Sequence, residues 1–485
     1  MIDLTKNESG LQEAVKRARE RKIIIPTFAQ QRDPRKIPSN IIEELKELGL
    51  WQIHPRNLFR ITWKNEPVEK SGGFQEVNYL EIPSELTGVD ARIIALVGKY
   101  FPTGAHKVGA TFGCLVPRLV TGQFNPIVHK AVWPSTGNYC RGGAYDSTLL
   151  ACDSIAILPE EMSQERFDWL KTVAGEIIKT PGSESNVKEI FDKVWELRRT
   201  RDNIFVFNQF EEFGNYLWHY DITGHAMQEV MEKEMSNGNL HGLVLTTGSA
   251  GTIACGDFLK QSYPFLKIAA GEALQCPTML LNGFGAHTIE GIGDKHIPWI
   301  HNVKNTDLVI AVDDNDTYHI MRLFNEPEGH KYLEEMGISR KMVDKLHLLG
   351  ISSIANLIMA IKHAKYFELT ENDVVLTVFT DSMELYQSRL KELQTKHGNY
   401  TRENAVRDFH AHLHGLKTDN MLELNYNQRK RIHNLKYFTW IEQQGRDLEE
   451  LNRQWYDSAY WESIQNQTST IDELINKFNE KVGIV

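Results

Sequence analysis

The sequence predicts an α/β protein built on parallel sheets, and three observations carry that prediction. Between about residues 91 and 390, short β-rich runs alternate with helical stretches: "RIIALVG", "PIVHKAVW", "SIAILP", "NIFVFNQ", "LVLTTG", "LKIAAG", "DLVIAV" and "DVVLTVF". The runs are apolar on both faces, which suits strands covered by helices on each side. Each ends in a loop containing Gly, Ser, Thr, Asn or Asp, where such sheets place their ligands.

Flanking segments read differently. Residues 1 to about 90 hold a charged helical stretch, "LQEAVKRARERK", and then "QQRDPRKIPSNIIEELKELGL", where prolines and Ser39 or Asn40 precede an amphipathic helix. This reads as an added N-terminal layer. Residues 391–485 are polar and helix-like, as in "RDLEELNRQWYDSAYWESIQ", with Trp455 and Trp461 expected to face the body of the protein.

Bulk properties narrow the function classes. At 485 residues the chain exceeds the size at which one core stops growing, so two or more packed units are expected. A net charge of -10 argues against a nucleic-acid binder. Five cysteines form no CxxC pair, which points to reduced thiols and a cytoplasmic location. The start "MIDLTKNESG" lacks the apolar core of a signal peptide, and no later run is a clean membrane span, so a soluble, untargeted protein is expected. "FHAHLHG" puts His410, His412 and His414 at alternate positions, but no Cys or acid cluster accompanies them and no metal site is assigned.

Three loops and one lysine carry the chemistry. "PSTGNYCRGG" follows the strand "HKAVW"; Ser135, Thr136, Gly137 and Asn138 suit either a carboxylate-holding turn or an ordinary capped helix start. In "TTGSAGT" the small residues Gly248, Ser249, Ala250, Gly251 and Thr252 let backbone N–H groups close around a phosphate. The loop matches neither dinucleotide nor nucleoside triphosphate patterns, so a single phosphate monoester fits best. "VFTDSMELY" ends the last strand with Thr380, Asp381 and Ser382. Lys107, in "YFPTGAHKVGA", sits among small and apolar neighbours. Burial disfavours an ammonium, and an uncharged amine forms Schiff bases; a surface lysine lying along apolar side chains is the other reading. Taken together, a phosphate loop and a Schiff-base lysine imply pyridoxal 5'-phosphate.

In the order and spacing of these motifs, residues 91–390 resemble the fold-type II pyridoxal-phosphate enzymes, the cysteine synthase, cystathionine β-synthase and tryptophan synthase β family. "GAHTIEGIGDKHIPWIHNVKNTDLVIAVDD" is similar to the cysteine synthase segment that carries the G-I-G loop into the next strand, and "GISSIAN" follows in family order. The resemblance implies two three-layer αβα domains with the cofactor between them, a mobile small subdomain at about 115–210, and a homodimer; the N- and C-terminal helical extensions at 1–90 and 391–485 are not part of the minimal cysteine synthase pattern. It implies Lys107 as the Schiff-base lysine, and Ser135, Thr136, Gly137 and Gln209 as contacts of the substrate carboxylate. Asn138 would meet the ring oxygen, Gly248 to Thr252 the phosphate, and Ser382 the pyridine nitrogen. His106 is reminiscent of tryptophan synthase β chains, where the equivalent histidine helps hold the phosphate. Arg141 and Tyr139 either read a further anionic group on the substrate or pack at the domain interface. The implied activity is β-replacement on a serine- or cysteine-derived amino acid through an aminoacrylate. The alternatives are a β-eliminating lyase releasing a keto acid and ammonia, and a catalytically silent scaffold.

Overall fold

The structure, a computed structural model, describes residues 1–67, 72–135, 137–182, 187–234, 238–293 and 295–484. Eleven strands form two sheets among the described residues. They are β1 (Tyr79–Ile82), β2 (Arg92–Val97), β3 (Lys130–Pro134), β4 (Asp153–Pro159), β5 (Glu176–Thr180), β6 (Ile204–Val206), β7 (Asn239–Thr246), β8 (Lys267–Ala273), β9 (Leu308–Val312), β10 (Asp373–Phe379) and β11 (Met421–Glu423). The larger sheet runs β1-β2-β10-β7-β8-β9-β11, and the smaller runs β5-β4-β3-β6. All pairs in the small sheet are parallel. In the large sheet β2, β10, β7, β8 and β9 are mutually parallel, and only the edge strands β1 and β11 pair antiparallel.

The apolar runs are buried on both faces because alternate residues feed different cores. From β2, Ile93, Ala95 and Val97 join the core packed against the helix Ile351–Tyr366, whereas Ile94 and Leu96 join the opposite one. In the small sheet, Val132, Ile155 and Ile157 meet Ile190, Val194 and Leu197 of the helix Val187–Thr200. Trp133, Ala156 and Leu158 face the other way. This period-two division gives each sheet a helical layer on each side.

The expected strands are all present, and three more were not foreseen. β5 is a half-exposed edge with Lys179 on its surface, so it lacks the doubly apolar signature. β1 and β11 lie outside the 91–390 interval and extend the large sheet at its two edges, so the sheet-bearing body starts before residue 91 and continues past residue 390. The C-terminal segment is correspondingly not all helical.

The chain's two ends pack on each other. Arg19 Nε donates to Val482 O at 3.0 Å, and Ile25 N donates to Asn479 Oδ1 at 3.0 Å. Asp472 accepts from Phe28 N at 2.6 Å and from Ala29 N at 3.0 Å, satisfying two amides at the start of the short helix Phe28–Arg32. Trp455 and Trp461 are both buried. Among the described residues no single helix is long and apolar enough to cross a membrane.

Lys436 ties the C-terminal segment to the body. It is fully buried, and its ammonium donates to Trp299 O (2.9 Å), His301 O (2.8 Å) and Gln454 Oε1 (2.7 Å), using all three hydrogens. Lys436→Met keeps most of the volume and strands three buried acceptors. It is expected to lower unfolding stability by about 3 kcal/mol, read as a shifted urea midpoint at constant slope.

Candidate active site

The parallel strands deliver their carboxyl-end loops to one cavity between the two sheets. Its wall is formed by residues of the β2–helix connection (His106, Lys107), the β3 loop (Ser135, Asn138, Tyr139), Gln209 and Phe210, the β7 end and loop (Thr246, Gly248, Ser249, Ala250, Thr252), and Gly291, Ser352 and Thr380.

Lys107 is the first residue of the helix Lys107–Val120. The chain reaches it from β2 through Thr103 and Gly104, both at positive φ (69° and 72°). A side chain at Gly104 would come within 2.7 Å of the Trp51 ring, so glycine is required there for space as well as for conformation. Lys107 Nζ donates to Ser249 Oγ at 3.0 Å, and Asn215 Nδ2 donates to the same oxygen at 3.0 Å. Gly251 N donates to it as well, at 3.4 Å, so three donors converge on the Ser249 hydroxyl.

The loop after β7 is drawn tight by its surroundings. Thr247 donates to Gly271 O through both N (2.7 Å) and Oγ1 (2.8 Å). Gly293 N donates to Thr247 O at 2.7 Å. A Cβ on Gly251 would overlap Asn215 Oδ1 at 2.0 Å, and one on Gly248 would press on Gly291 O at 2.9 Å. Among the described residues, the backbone N–H groups of Gly248, Ser249, Ala250 and Thr252 have no acceptor. A run of unpaired amides on a cavity wall suits a phosphate.

The β3 loop is organised around Ser135. Its Oγ accepts from Gly137 N (3.1 Å) and from Gln209 Nε2 (3.3 Å). Thr136 lies outside the described residues. Gly137 packs against Arg166, whose Nη1 would lie 2.1 Å from a Cβ there. Asn138 donates through Nδ2 to Asp381 Oδ2 at 2.6 Å, and its buried Oδ1 has no partner.

Asp381, named from the sequence only as one of three residues ending the last strand, organises the far end of the site. It is fully buried, and burial raises its carboxyl above the usual range, against the opposing pull of Arg166. Tyr386 OH donates to Asp381 Oδ2 at 2.7 Å, and Arg166 Nη2 donates to Tyr386 OH at 2.8 Å. Arg166 Nη1 lies 2.9 Å from Glu290 Oε2, and Arg389 Nε donates to Glu290 Oε1 at 2.6 Å. Ser388 N and Oγ donate to the two oxygens of Glu165 at 2.8 and 2.7 Å. This polar seam joins the short helix Gln164–Leu170, beside the small sheet, to the segment that follows β10.

Five expected site residues stand elsewhere than on the wall, or make other bonds; one is Gly137, off the wall with its N–H donated to Ser135 Oγ. β10 ends at Phe379, and the chain presents Thr380 to the cavity; Ser382 is buried at the start of the 3-10 turn Met383–Leu385, off the wall. Thr380 is therefore the hydroxyl available at this position. His106 is on the wall, but its Nε2 lies 3.3 Å from Thr380 Oγ1 and its ring bonds to nothing in the 248–252 loop. Arg141 is buried with its guanidinium 4.6 Å over the Trp169 ring and does not reach the cavity; both residues belong to helices beside the small sheet, so it packs within that layer rather than across the interface. Gly251 is held back against Asn215 and stays off the wall. Tyr139 lines the cavity with its ring while its hydroxyl donates to Cys114 Sγ at 3.4 Å.

The three histidines of "FHAHLHG" diverge. His410 Nε2 pairs with Tyr332 OH at 2.9 Å, His412 Nδ1 with Asp316 at 2.7 Å, and His414 Nε2 with Glu85 O at 3.1 Å. His319, Asp408 and His412 do cluster, but Arg407 Nη2 already sits 2.7 Å from Asp408 Oδ1 and 3.1 Å from His319 Nδ1, supplying the positive charge itself.

Pyridoxal phosphate fits this wall: one amine, unpaired loop amides for a phosphate, and an unpaired Asn138 Oδ1 with Thr380 beside it. The family model described as pyridoxal-phosphate dependent enzyme matches residues 83–381. Cysteine synthase of Staphylococcus aureus (strain Mu50 / ATCC 700699) is 32% identical over 258 residues, 53% of this chain and 75% of that protein. Cystathionine beta-synthase of Saccharomyces cerevisiae is 26% identical over 318 residues, 64% of this chain and 59% of that protein. A crystal structure of a hydrogen sulfide-producing enzyme from Fusobacterium nucleatum shares the fold, with TM-score 0.55 and 23% identity over 71% of this chain and 95% of that one. So does an O-acetylserine dependent cystathionine beta-synthase from Helicobacter pylori, with TM-score 0.53 and 22% identity over 64% and 94%. With the family model covering more than half of its length and the cavity carrying the matching groups, the chain belongs to the pyridoxal-phosphate dependent enzyme family.

Proposed function

We propose that the protein catalyses β-replacement on a serine- or cysteine-derived amino acid, with pyridoxal phosphate bound through Lys107. The observation that carries this reading is the convergence of Lys107 Nζ, the Ser135–Asn138 loop and the unpaired amides of Gly248, Ser249, Ala250 and Thr252 on one cavity. The relatives named cysteine synthase and cystathionine beta-synthase support the same class of reaction.

When bound, the cofactor supplies the electron sink that makes the substrate Cα proton removable. The chain's own residues do the rest. Amides of Gly248 to Thr252 hold the phosphate, and Asn138 meets the ring oxygen, its amide turned by Asp381. Thr380 faces the ring nitrogen. Ser135 Oγ and Gly137 N, with Gln209 and Thr136, hold the substrate carboxylate. Lys107 Nζ takes the Cα proton as general base and returns it to the group leaving Cβ. Closure of the layer at about 115–210 over the large sheet excludes water, favouring capture by an added nucleophile over hydrolysis to a keto acid and ammonia. The Glu165–Ser388 and Arg166–Tyr386 bonds are the contacts that hold it closed. Five buried cysteines with no CxxC pair in the sequence support a reducing, cytoplasmic setting, and the family resemblance supports a homodimer.

Lys107→Ala is expected to abolish the cofactor's protein-bound absorbance band and to lower turnover by more than about 1,000-fold, measured as cysteine formed from O-acetylserine and sulfide. Persistence of either signal would refute the assignment. Pyruvate released equally fast with and without sulfide would instead place the enzyme among β-eliminating lyases.

Loosening the seam separates binding from chemistry. Glu165→Ala removes both acceptors of Ser388 while touching nothing on the cavity wall. KM for the amino acid is expected to rise several-fold and the pyruvate fraction to increase, since a less tightly closed site admits water. An unchanged partition between cysteine and pyruvate would show that this contact plays no part in closure.

A further inference from the structure

Asn215 lies behind the cavity wall, fully buried on the helix Phe213–Trp218, and is not itself part of that wall. Its amide nitrogen donates to Gln209 O at 3.0 Å and to Ser249 Oγ at 3.0 Å. A backbone carbonyl only accepts, so the bond to Gln209 fixes which end of the amide is the nitrogen. Both of its hydrogens are thereby in use.

The two acceptors belong to different halves of the site. Gln209 Nε2 donates to Ser135 Oγ at 3.3 Å, in the group read as holding the substrate carboxylate. Ser249 Oγ meets Lys107 Nζ at 3.0 Å. One buried amide therefore spans from the carboxylate side to the amine. The phosphate loop packs directly on it, since a side chain on Gly251 would come within 2.0 Å of Asn215 Oδ1. The span matters because the carboxylate is bonded directly to Cα. Where the carboxylate is held decides where the Cα proton lies, and the amine must meet that proton at hydrogen-bond distance.

We infer that Asn215 is a positioning residue that sets the register between the substrate carboxylate and the Lys107 amine, by holding Gln209 O and Ser249 Oγ on one amide. The role rests on the reading that Lys107 is the base and that Gln209 stands with the carboxylate-holding residues. Asn215 leaves the open N–H groups of Gly248, Ser249, Ala250 and Thr252 unused, so its loss falls on proton transfer and spares attachment of the cofactor.

The test compares wild type, Asn215→Ala and Asn215→Asp as holoenzymes, on O-acetylserine and on the same compound deuterated at Cα. Asn215→Ala is expected to keep the protein-bound cofactor band, to lower kcat roughly tenfold or more, and to enlarge the primary isotope effect on kcat. Asn215→Asp keeps the shape and, ionised at about pH 8, has no hydrogen to donate, so it is expected to be impaired to the same degree. A second readout needs no turnover. In the apoproteins, reductive methylation of Lys107, followed by mass spectrometry, is expected to run several-fold faster in both variants, because the amine loses its seat on Ser249. Wild-type kcat and isotope effect in Asn215→Asp would overturn the proposal, since the side chain's volume alone would then matter. Lower kcat with an unchanged isotope effect and an unchanged methylation rate would overturn it too, by placing the damage in another step. Failure of the underlying reading looks different: a Lys107→Ala variant that still shows the isotope-sensitive step would remove Lys107 as the base, whatever the Asn215 variants do.

Discussion

The site depends on one constraint: two sheets that share few strand-to-strand bonds must hold their carboxyl-end loops within reach of the same small molecule. Asp381 meets that constraint at the centre. Its Oδ2 accepts from Asn138, beside the small sheet, and from Tyr386, beyond the large sheet's last parallel strand. Arg166 and Glu290 extend the same seam outward to Arg389. Burying charge is costly unless it is paired, and stranding one member of such a pair costs on the order of 3–5 kcal/mol. The approach of the two layers is therefore specific in angle and distance, because only one arrangement satisfies every member. Apolar packing alone would hold the layers together while leaving the loops free to slide.

Packing density acts in the same direction. Gly137, Gly248, Gly251 and Gly350 each lack room for a side chain, against Arg166, Gly291, Asn215 and Asp381 respectively. These positions let backbone pack closely around the cavity, and at Gly248 an open N–H lies on its wall. The glycines are thus part of the cavity's shape, and the phosphate loop owes its open N–H groups to neighbours that crowd it from behind.

Legibility of the fold in the sequence followed burial. Runs such as "LVLTTG" and "DVVLTVF" announced themselves because both faces of each strand are apolar, and the loops after them were readable from small-residue composition. β5 escaped because one of its faces meets solvent, and β1 and β11 because edge strands pair on one side only. In the site, the lysine and the two main loops were readable, since their chemistry depends on residue type in a short window. That Thr380 rather than Ser382 lines the cavity was not readable, because it turns on the residue at which a strand ends. Arg141 was ambiguous for a different reason. Whether its guanidinium faces a cavity or an indole is decided by Trp169, on a separate helix. The bonding role of Asp381 was not readable because its partners, Asn138 and Arg166, are brought to it only by the packing of two layers.

The terminal segments bear on the site through the same long-range logic. Trp218, on the helix Phe213–Trp218, packs against Gly109 and Gly113, and its indole donates to Gln31 Oε1 at 2.9 Å. Arg32 pairs with Asp221 at 2.7 Å, and Asp472 from the C-terminal helix Gln467–Val482 holds the amides just before it. Between those contacts runs the π-helical turn His219–Thr223, which carries both His219 and Thr223. A π turn inserts one residue per loop of backbone and rotates side chains relative to an ordinary helix. Here it is braced on one side by the interlocked chain ends and presents His219 to His106 on the other. The added layers therefore brace a buried turn that packs against His106, without contributing an atom to the cavity wall.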